Sequence, residues 1–194
     1  ELSSCRFMLD CSPQWCQRYL EQGGPALDAW IRYAAGESEP SLASALNIVE
    51  PAQRSLAALA VEAGFVSAVL VPVHSGANHP RVSLLCLGHS TRGYFEGEGL
   101  SRLRVSARVL ALELHDWWRA RVRSETLAQV HINEGELRLL ERYSLGHTSK
   151  RIGSDLNLSK TAVDSRFRRV VEKLGAKNRK HAVKLAIDCG LIAQ

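Results

Sequence analysis

One apolar stripe near the carboxyl end constrains the fold more than any other feature. In residues 160–174, KTAVDSRFRRVVEKL, the apolar residues recur at the spacing of one helix face; they are Val163, Phe167, Val170, Val171 and Leu174. The other side of this stretch is polar and rich in arginine. The pattern predicts an amphipathic helix that packs by one side and leaves the other side open.

Start and stop signals surround this stretch and predict three further helices. Residues 133–136 have the Asn-x-x-Glu form of a capping box, and Gly146 follows the helix that they open. Thr148 is placed to cap a short second helix, residues 157–159 make a turn, and Ser159 caps the amphipathic helix. A last helix runs from about Lys180 to Cys189.

The charge of the chain is divided in the same way. Residues 132–194 hold 13 lysines and arginines against 7 aspartates and glutamates, whereas residues 1–131 hold 12 against 13. Basic charge concentrated in one third of a chain favours a polyanionic partner for that third. The alternative at this stage is a solvated basic surface with no partner.

Residues 132–192 resemble the LuxR/GerE-type helix-turn-helix. The residues that carry the resemblance are Glu136, Gly146, Ile152, Leu156, Ser159, Val163, Lys173, Leu174, Asn178, Arg179, Ala182, Gly190 and Leu191. The resemblance implies an all-α four-helix domain at residues 132–194 that binds duplex DNA, with the third helix in the major groove.

The resemblance also assigns the contacts. It places base contacts on Asp164, Ser165 and Arg168, and phosphate contacts on Lys160, Thr161, Arg166 and Arg169. The paired donors of an arginine match O6 and N7 of guanine, and an aspartate can accept from a cytosine amino group. Asp164 brings negative charge towards a polyanion, so we expect it to narrow specificity at the cost of affinity.

Two positions of the second helix depart from the family. Arg151 stands where the family usually has an acidic residue, and Gly153 where it usually has alanine. A glycine costs a helix up to about 1 kcal/mol, so a weakened second helix is expected.

The first part of the chain mixes helices with a β-hairpin. A helix is predicted over Ala52–Ala63, strands over residues 65–73 and 81–88, a turn over 74–80, and a long helix from Glu98 to about Val122. Pro72 suggests an edge or a bulge near the end of its strand. The apolar stripe of the long helix suits either core packing or dimerisation. The charged residues 123–131 are expected to form a linker.

Residues 12–34 resemble the opening of the autoinducer-binding domain of quorum-sensing LuxR regulators. Trp15, Tyr19 and Asp28 reproduce its tryptophan, tyrosine and aspartate, while the family's first helices have no counterpart, as in an N-terminally truncated protein. The resemblance implies an α+β sensor domain at residues 1–122, an α/β/α sandwich with an antiparallel sheet.

This second resemblance implies a ligand, an acyl-homoserine lactone or a related small molecule. Trp15 would donate to the lactone carbonyl, Asp28 would accept the amide N–H, and Tyr19 would lie beside the head group. The alternative is that Trp15 and Tyr19 are core aromatics and that Asp28 caps a helix. Ala68 stands where the family has a glycine, which lets the ligand lie close to the strand.

The expected protein is a LuxR-type transcriptional regulator that binds a pseudo-palindromic operator as a homodimer, with RNA polymerase as a further candidate partner. A protein of another class is also open: a ligand-independent relative that heterodimerises with a full-length regulator and blocks it. A second tryptophan that the family has after a proline is missing beyond Pro40, which favours that alternative.

The sequence offers no catalytic or metal-binding pattern. The five cysteines are scattered, and the histidines have no carboxylate or cysteine partner at ligand spacing. No stretch is apolar enough for a membrane span, and no signal peptide is evident. We therefore expect a cytoplasmic protein that is not an enzyme and carries no cofactor or metal.

Overall fold

The computed structural model describes residues 13–74 and 82–193. Their contacts form two compact units: an N-terminal unit of residues 13–74 and 82–115, and a C-terminal unit of residues 116–193. Ser12, the predicted cap of the first helix, and residues 75–80 of the predicted turn lie outside the described residues.

An antiparallel sheet forms the centre of the N-terminal unit. Its strands are β1 (Ser41–Leu42), β2 (Ser67–His74) and β3 (Val82–His89), in the order β1-β2-β3. The predicted hairpin is confirmed, since β2 and β3 pair from Ser67 opposite His89 to His74 opposite Val82. Pro72 lies outside the short stretch of β2 that pairs with β1, so its missing N–H disturbs no bond on that side.

Helices cover both faces of this sheet. Val69 and Val71 on one face pack with Ala107 and Ala111 of the long helix α5 (Glu98–Val130). Residues of alternate number point to the opposite face, where β2 and β3 contact α3 (Ala29–Gly36). There His74 Nε2 lies 2.6 Å from the carbonyl oxygen of Ala34. The expected α/β/α arrangement is confirmed.

Three more helices complete the N-terminal unit. They are α1 (Pro13–Glu21), α2 (Gly24–Leu27) and α4 (Pro51–Glu62), with a 3-10 turn at Ala43–Ala45. Tyr19 of α1 packs with Leu56 and Leu59 of α4 in a small apolar cluster. The helix predicted for Ala52–Ala63 is therefore present.

The predicted linker is helical. Helix α5 continues through residues 123–130 to Val130, and Thr126 within this stretch is only 1% exposed. Leu127 and Val130 pack against the core of the C-terminal unit. The helix therefore extends beyond its predicted end near Val122, because apolar positions that recur every three or four residues continue among the charged residues of this stretch.

The C-terminal unit places four short helices after α5. They are α6 (Glu134–Ser144), α7 (Ser149–Asp155), α8 (Lys160–Lys173) and α9 (Arg179–Asp188). One core joins them, and Leu139, Leu140, Ile152 and Phe167 are fully buried in it. The expected all-α domain is confirmed.

Side-chain caps begin all four helices, which explains where each one starts. Asn133 and Glu136 form the predicted capping box of α6, and Thr148 and Ser159 cap α7 and α8 as predicted. Asn178 caps α9 by accepting from the backbone N–H of His181 at 2.9 Å. These caps satisfy amides that the first turn of a helix leaves unpaired.

Membrane-spanning helices and metal-ligand clusters are both absent from the described residues. No helix among residues 13–74 and 82–193 is both long and apolar enough to cross a membrane. The same residues contain no group of three or more histidine, cysteine, aspartate or glutamate side chains that could hold a metal ion.

Candidate functional site

The three residues predicted to hold a ligand head group lie together. The rings of Trp15 and Tyr19 stack with centroids 5.0 Å apart, because positions four apart on α1 share a face. The Tyr19 hydroxyl donates to Asp28 Oδ2 at 2.7 Å. The structure therefore brings together two residues of α1 and the residue that separates α2 from α3.

Each polar group of this cluster also has a partner within the protein. The indole N–H of Trp15 donates to the backbone oxygen of Leu59 at 3.0 Å. Asp28 caps α3, and its Oδ1 accepts from the backbone N–H of Trp30 at 2.7 Å. Tyr19 is 3% exposed. The three polar groups converge, as a ligand site requires, and each also has a hydrogen-bond partner within the protein, as a purely structural role requires.

Cys86 of β3 lies beside this cluster and was not singled out from the sequence. It is opposite Leu70, on the sheet face that α3 contacts. Burial, together with the nearby negative charge of Asp28, raises the pKa of the Cys86 thiol to about 12. Cys86 is therefore a neutral, half-buried neighbour of the Asp28 carboxylate. Because side chains alternate between the two faces of a strand, the sequence of β3 could have placed Cys86 on this face.

The Phe65 ring packs closely against Gly88, the residue opposite Ala68 on the neighbouring strand. A Cβ built on Gly88 would lie 2.4 Å from the Phe65 ring, so only glycine leaves space for that ring. The ring of Phe65 also lies 6.4 Å from that of Trp30. An aromatic side chain thus covers the sheet at the pair Ala68–Gly88.

Helix α8 has the two faces that its sequence predicts. Val163, Phe167 and Val170 are 0% exposed. Of the residues predicted to contact DNA, most are exposed and two are half-buried; the exposed ones are Lys160, Thr161, Ser165, Arg168 and Arg169, and the half-buried ones are Asp164 and Arg166. The polar face of α8 is therefore open within the C-terminal unit.

A buried carboxylate fixes the far end of α8. Lys173 donates through Nζ to Glu136 Oε2 at 2.7 Å and to the backbone oxygen of His131 at 3.0 Å. Burial of Glu136 raises its pKa, but the hydrogen bonds from Lys173 and from the Asn133 backbone, with the charge of Lys173, outweigh this, so the net pKa is lowered. Glu136 thus joins the start of α6 to the end of α8.

A second ion pair holds the second turn of α8. Arg179 of α9 donates to Asp164 Oδ1 at 2.7 Å, and the hydroxyl of Ser149 of α7 donates to the same oxygen at 2.9 Å. Arg179 also donates to the Ser149 hydroxyl at 3.0 Å and lies 4.6 Å above the ring of Phe167. Hydrogen bonds from Arg179 and then Ser149 hold the pKa of Asp164 below its usual range.

The turn before α8 explains Gly153. A Cβ on Gly153 would lie 2.5 Å from the backbone oxygen of Leu158, so an alanine there requires the backbone to shift. Asn157 within the turn has a φ of 53°, which asparagine tolerates better than most residues. In this protein the glycine permits a close approach between α7 and the turn, a benefit that helix propensity alone does not reveal.

Comparisons with known proteins agree with this architecture. Residues 134–186 match the family described as "Bacterial regulatory proteins, luxR family". No curated protein sequence matches the chain. The fold is similar to that of Escherichia coli SdiA, with a TM-score of 0.70 and 17% identity over 97% of this chain and 78% of that one.

A second similar structure is SdiA in complex with octanoyl-rac-glycerol. It matches with a TM-score of 0.62 and 15% identity, over 95% of this chain and 74% of the other. At this level of identity, the likeness concerns the fold.

Proposed function

We propose that this chain is a transcriptional regulator that binds a duplex operator in response to a small molecule. The match of residues 134–186 to the luxR family of bacterial regulatory proteins supports this proposal. The arrangement of α8 is the observation that supports the DNA-binding part of this proposal. Its apolar face is buried in the unit's own core, while Ser165 and Arg168 remain exposed on the opposite face. A helix held in this way can enter a major groove.

The polar and basic residues of α8 have two different roles in this proposal. Arg168 and Ser165 read base edges, and Lys160, Thr161, Arg166 and Arg169 contact phosphates. The DNA-bound protein would contact RNA polymerase as a further partner, in the cytoplasm where operators are found. Asp164 shares the polar face with the base readers, but Arg179 and Ser149 already bind its carboxylate.

The phosphate role is tested through the salt dependence of DNA binding. Arg169→Gln should weaken binding to all duplexes alike and flatten the slope of log K against log salt by about 0.9 for each phosphate that is no longer neutralised. Glu172→Gln is a matched control, since Glu172 is exposed on the same helix. An Arg169→Gln protein that keeps both its affinity and its slope would remove this residue from the interface.

The ligand half of the proposal depends on the cluster around Asp28. The Tyr19 hydroxyl, the Asp28 carboxylate and the Trp15 indole converge within one unit, beside the apolar sheet face that bears Leu70 and Cys86. A few convergent polar groups beside an apolar wall suit a ligand with a polar head and an acyl chain. The SdiA complex with octanoyl-rac-glycerol is consistent with such a molecule.

Binding of a ligand head group requires an exchange of hydrogen bonds. The Trp15 indole would leave the backbone oxygen of Leu59, and Asp28 would divide its acceptors between the α3 amide and the ligand. We propose an acyl-homoserine lactone or a related acyl compound as the ligand.

Thermal unfolding with and without ligand tests this half. A panel of acyl-homoserine lactones and octanoyl-glycerol should raise the melting temperature of the full chain, because a ligand that binds only the folded state stabilises it. Trp15→Phe should reduce that rise, which is measured from each protein's own unliganded melting temperature because the substitution also removes the bond to the Leu59 oxygen. A Trp15→Phe protein that responds as the parent does would contradict the assignment.

Self-association is the remaining element of the proposal. On α5, Val105, Val109 and Leu112 are 74%, 56% and 52% exposed, and their spacing places them on one helix face. A second copy of the chain would cover this face in a two-fold symmetric dimer. Val109→Glu should convert the dimer to a monomer in analytical ultracentrifugation, and an unchanged mass would contradict this interface.

The partner-blocking alternative has one observation in its favour. The hydrogen-bonding groups of Trp15 and Asp28 already have partners within the protein, as they would in a domain that no longer takes a ligand. It predicts no thermal response to any ligand of the panel, together with lost operator binding when a full-length regulator is mixed with this chain.

A further inference from the structure

The polar face of α8 carries an ion pair that reaches outside the helix. Asp164 lies one turn after Thr161 and one turn before Arg168, so its side chain belongs to the face proposed to enter the groove. Both the Arg179 guanidinium and the Ser149 hydroxyl bind its Oδ1 atom. The side chains of Arg179 and Asp164 are 33% and 39% exposed, so the pair lies at the surface.

This cluster joins three helices at one atom. Ser149 is the first residue of α7, Asp164 is in the second turn of α8, and Arg179 is the first residue of α9. The Arg179 guanidinium is held by further contacts with Ser149 and with the face of Phe167, whose ring is buried under α8. Planar donors stacked on an aromatic ring lose little freedom when they bind a carboxylate, which favours a fixed geometry.

We propose that Asp164 is a positioning residue that holds Arg179 and Ser149 and withholds the charge of Arg179 from DNA phosphates, so that base reading in this part of α8 falls to Ser165 and Arg168. This inference rests on the proposed DNA-binding function. It differs from the role in base reading that the family resemblance implies for Asp164. The cost of a carboxylate near DNA is offset because its charge is cancelled by Arg179.

The proposal gives a specific pattern of salt dependence for the full chain on a mixed-sequence duplex. Asp164→Asn keeps the shape and an acceptor oxygen but leaves the Arg179 charge uncancelled. The slope of log K against log salt should become steeper by about 0.9 for each recognition helix engaged. Over a fourfold rise in salt, this variant should lose roughly three- to fourfold more affinity than the parent for each such helix.

Matched variants separate this effect from simple charge removal. Glu172→Gln removes the same charge from the same helix without releasing an arginine, and its slope should stay near that of the parent. Arg179→Gln should also keep the parent's slope, because its charge contributes nothing while it is cancelled. The double variant Asp164→Asn/Arg179→Gln should return to the parent's slope, which a merely structural role of Asp164 does not predict.

Selection from a randomised duplex pool distinguishes positioning from base reading. Asp164→Asn should select the same bases as the parent. A change of preference at one base pair in each half-site would show that Asp164 reads a base, and an unchanged salt slope would show that it withholds no charge; either result overturns the inference alone. A parent chain that binds no duplex would overturn the proposed function and this inference with it.

Discussion

The two units of this protein satisfy their polar groups in different ways. In the C-terminal unit, caps such as those of Asn133 and Ser159 act within three residues of their own helix, and a single core joins α6 to α9. In the N-terminal unit, the decisive bonds cross longer distances along the chain, as from Trp15 to Leu59. Local capping signals therefore define where the helices of the C-terminal unit begin, and longer-range pairs such as Lys173–Glu136 then join these helices. In the N-terminal unit, the bond from Trp15 to Leu59 has no such local signal.

Substitutions in the two cores test whether each unit is stabilised separately, and they should have the greatest consequences. Phe167→Ala removes a fully buried ring from the C-terminal core and should cost about 3–5 kcal/mol. Hydrogen exchange should then show lost protection across α6–α9 and retained protection in β2 and β3. Phe95→Ala, in the cluster that joins α5 to the sheet, is the reciprocal variant. Equal loss of protection in both units from either change would contradict this division.

The buried carboxylate of the C-terminal unit predicts a pH dependence. Because the pKa of Glu136 is lower in the folded state, its ionised form stabilises the unit above the unfolded pKa, and that stabilisation is lost as the pH falls through the folded pKa. Glu136→Gln should cost about 1–3 kcal/mol at neutral pH and flatten the decline in acid.

Chemical unfolding of both proteins between neutral pH and the acid range provides this measurement. Glu134→Gln, an exposed residue of the same first turn, is the control and should leave the decline intact. A Glu136→Gln protein with the parent's pH profile would show that the Lys173 bond carries no stability.

For an alanine at position 153, helix propensity and the available space predict opposite changes in stability. Propensity alone predicts that Gly153→Ala stabilises α7 by up to about 1 kcal/mol. The contact of its Cβ with the Leu158 carbonyl predicts destabilisation by about 1–3 kcal/mol instead. Gly135→Ala in α6 is the control, because its Cβ would meet Asn133 Oδ1 only at 3.4 Å, and it should be neutral or stabilising. Denaturant midpoints decide the sign.

A single hydroxyl of the N-terminal unit should have the mildest influence on stability. Tyr19→Phe removes the hydrogen bond to Asp28 and should cost about 0.5–1.5 kcal/mol of unfolding free energy. Tyr33→Phe removes an exposed hydroxyl bond to the Glu39 carbonyl and should cost less. Only Tyr19→Phe should also alter the thermal response to acyl compounds, and an equal response from both variants would place Tyr19 outside the ligand site.

The sequence predicted the elements that depend on neighbouring residues. The capping box at Asn133, the turn at residues 157–159 and the buried stripe of α8 follow from spacings of a few residues, and the structure confirms them. The helix predicted from Ala52 to Ala63 and the hairpin were recognised for the same reason.

The features that the sequence missed depend on distant partners. No local spacing connects Asp164 with Arg179, or Cys86 with Asp28. The extent of α5 was misjudged because residues 123–130 are charged on the surface, while Thr126 is buried. Gly153 was interpreted through propensity alone because the carbonyl that it accommodates belongs to the following turn.

Sequence-specific reading of DNA by the exposed face of α8 is the central proposal, and the role given to Asp164 depends on it. Selection from a randomised duplex pool with the full chain should yield a two-fold symmetric motif, and Arg168→Ala should lose preference at one base pair in each half-site at a cost of about 1–3 kcal/mol. The same motif selected with the same affinity by Arg168→Ala, or no motif with the parent chain, would contradict it.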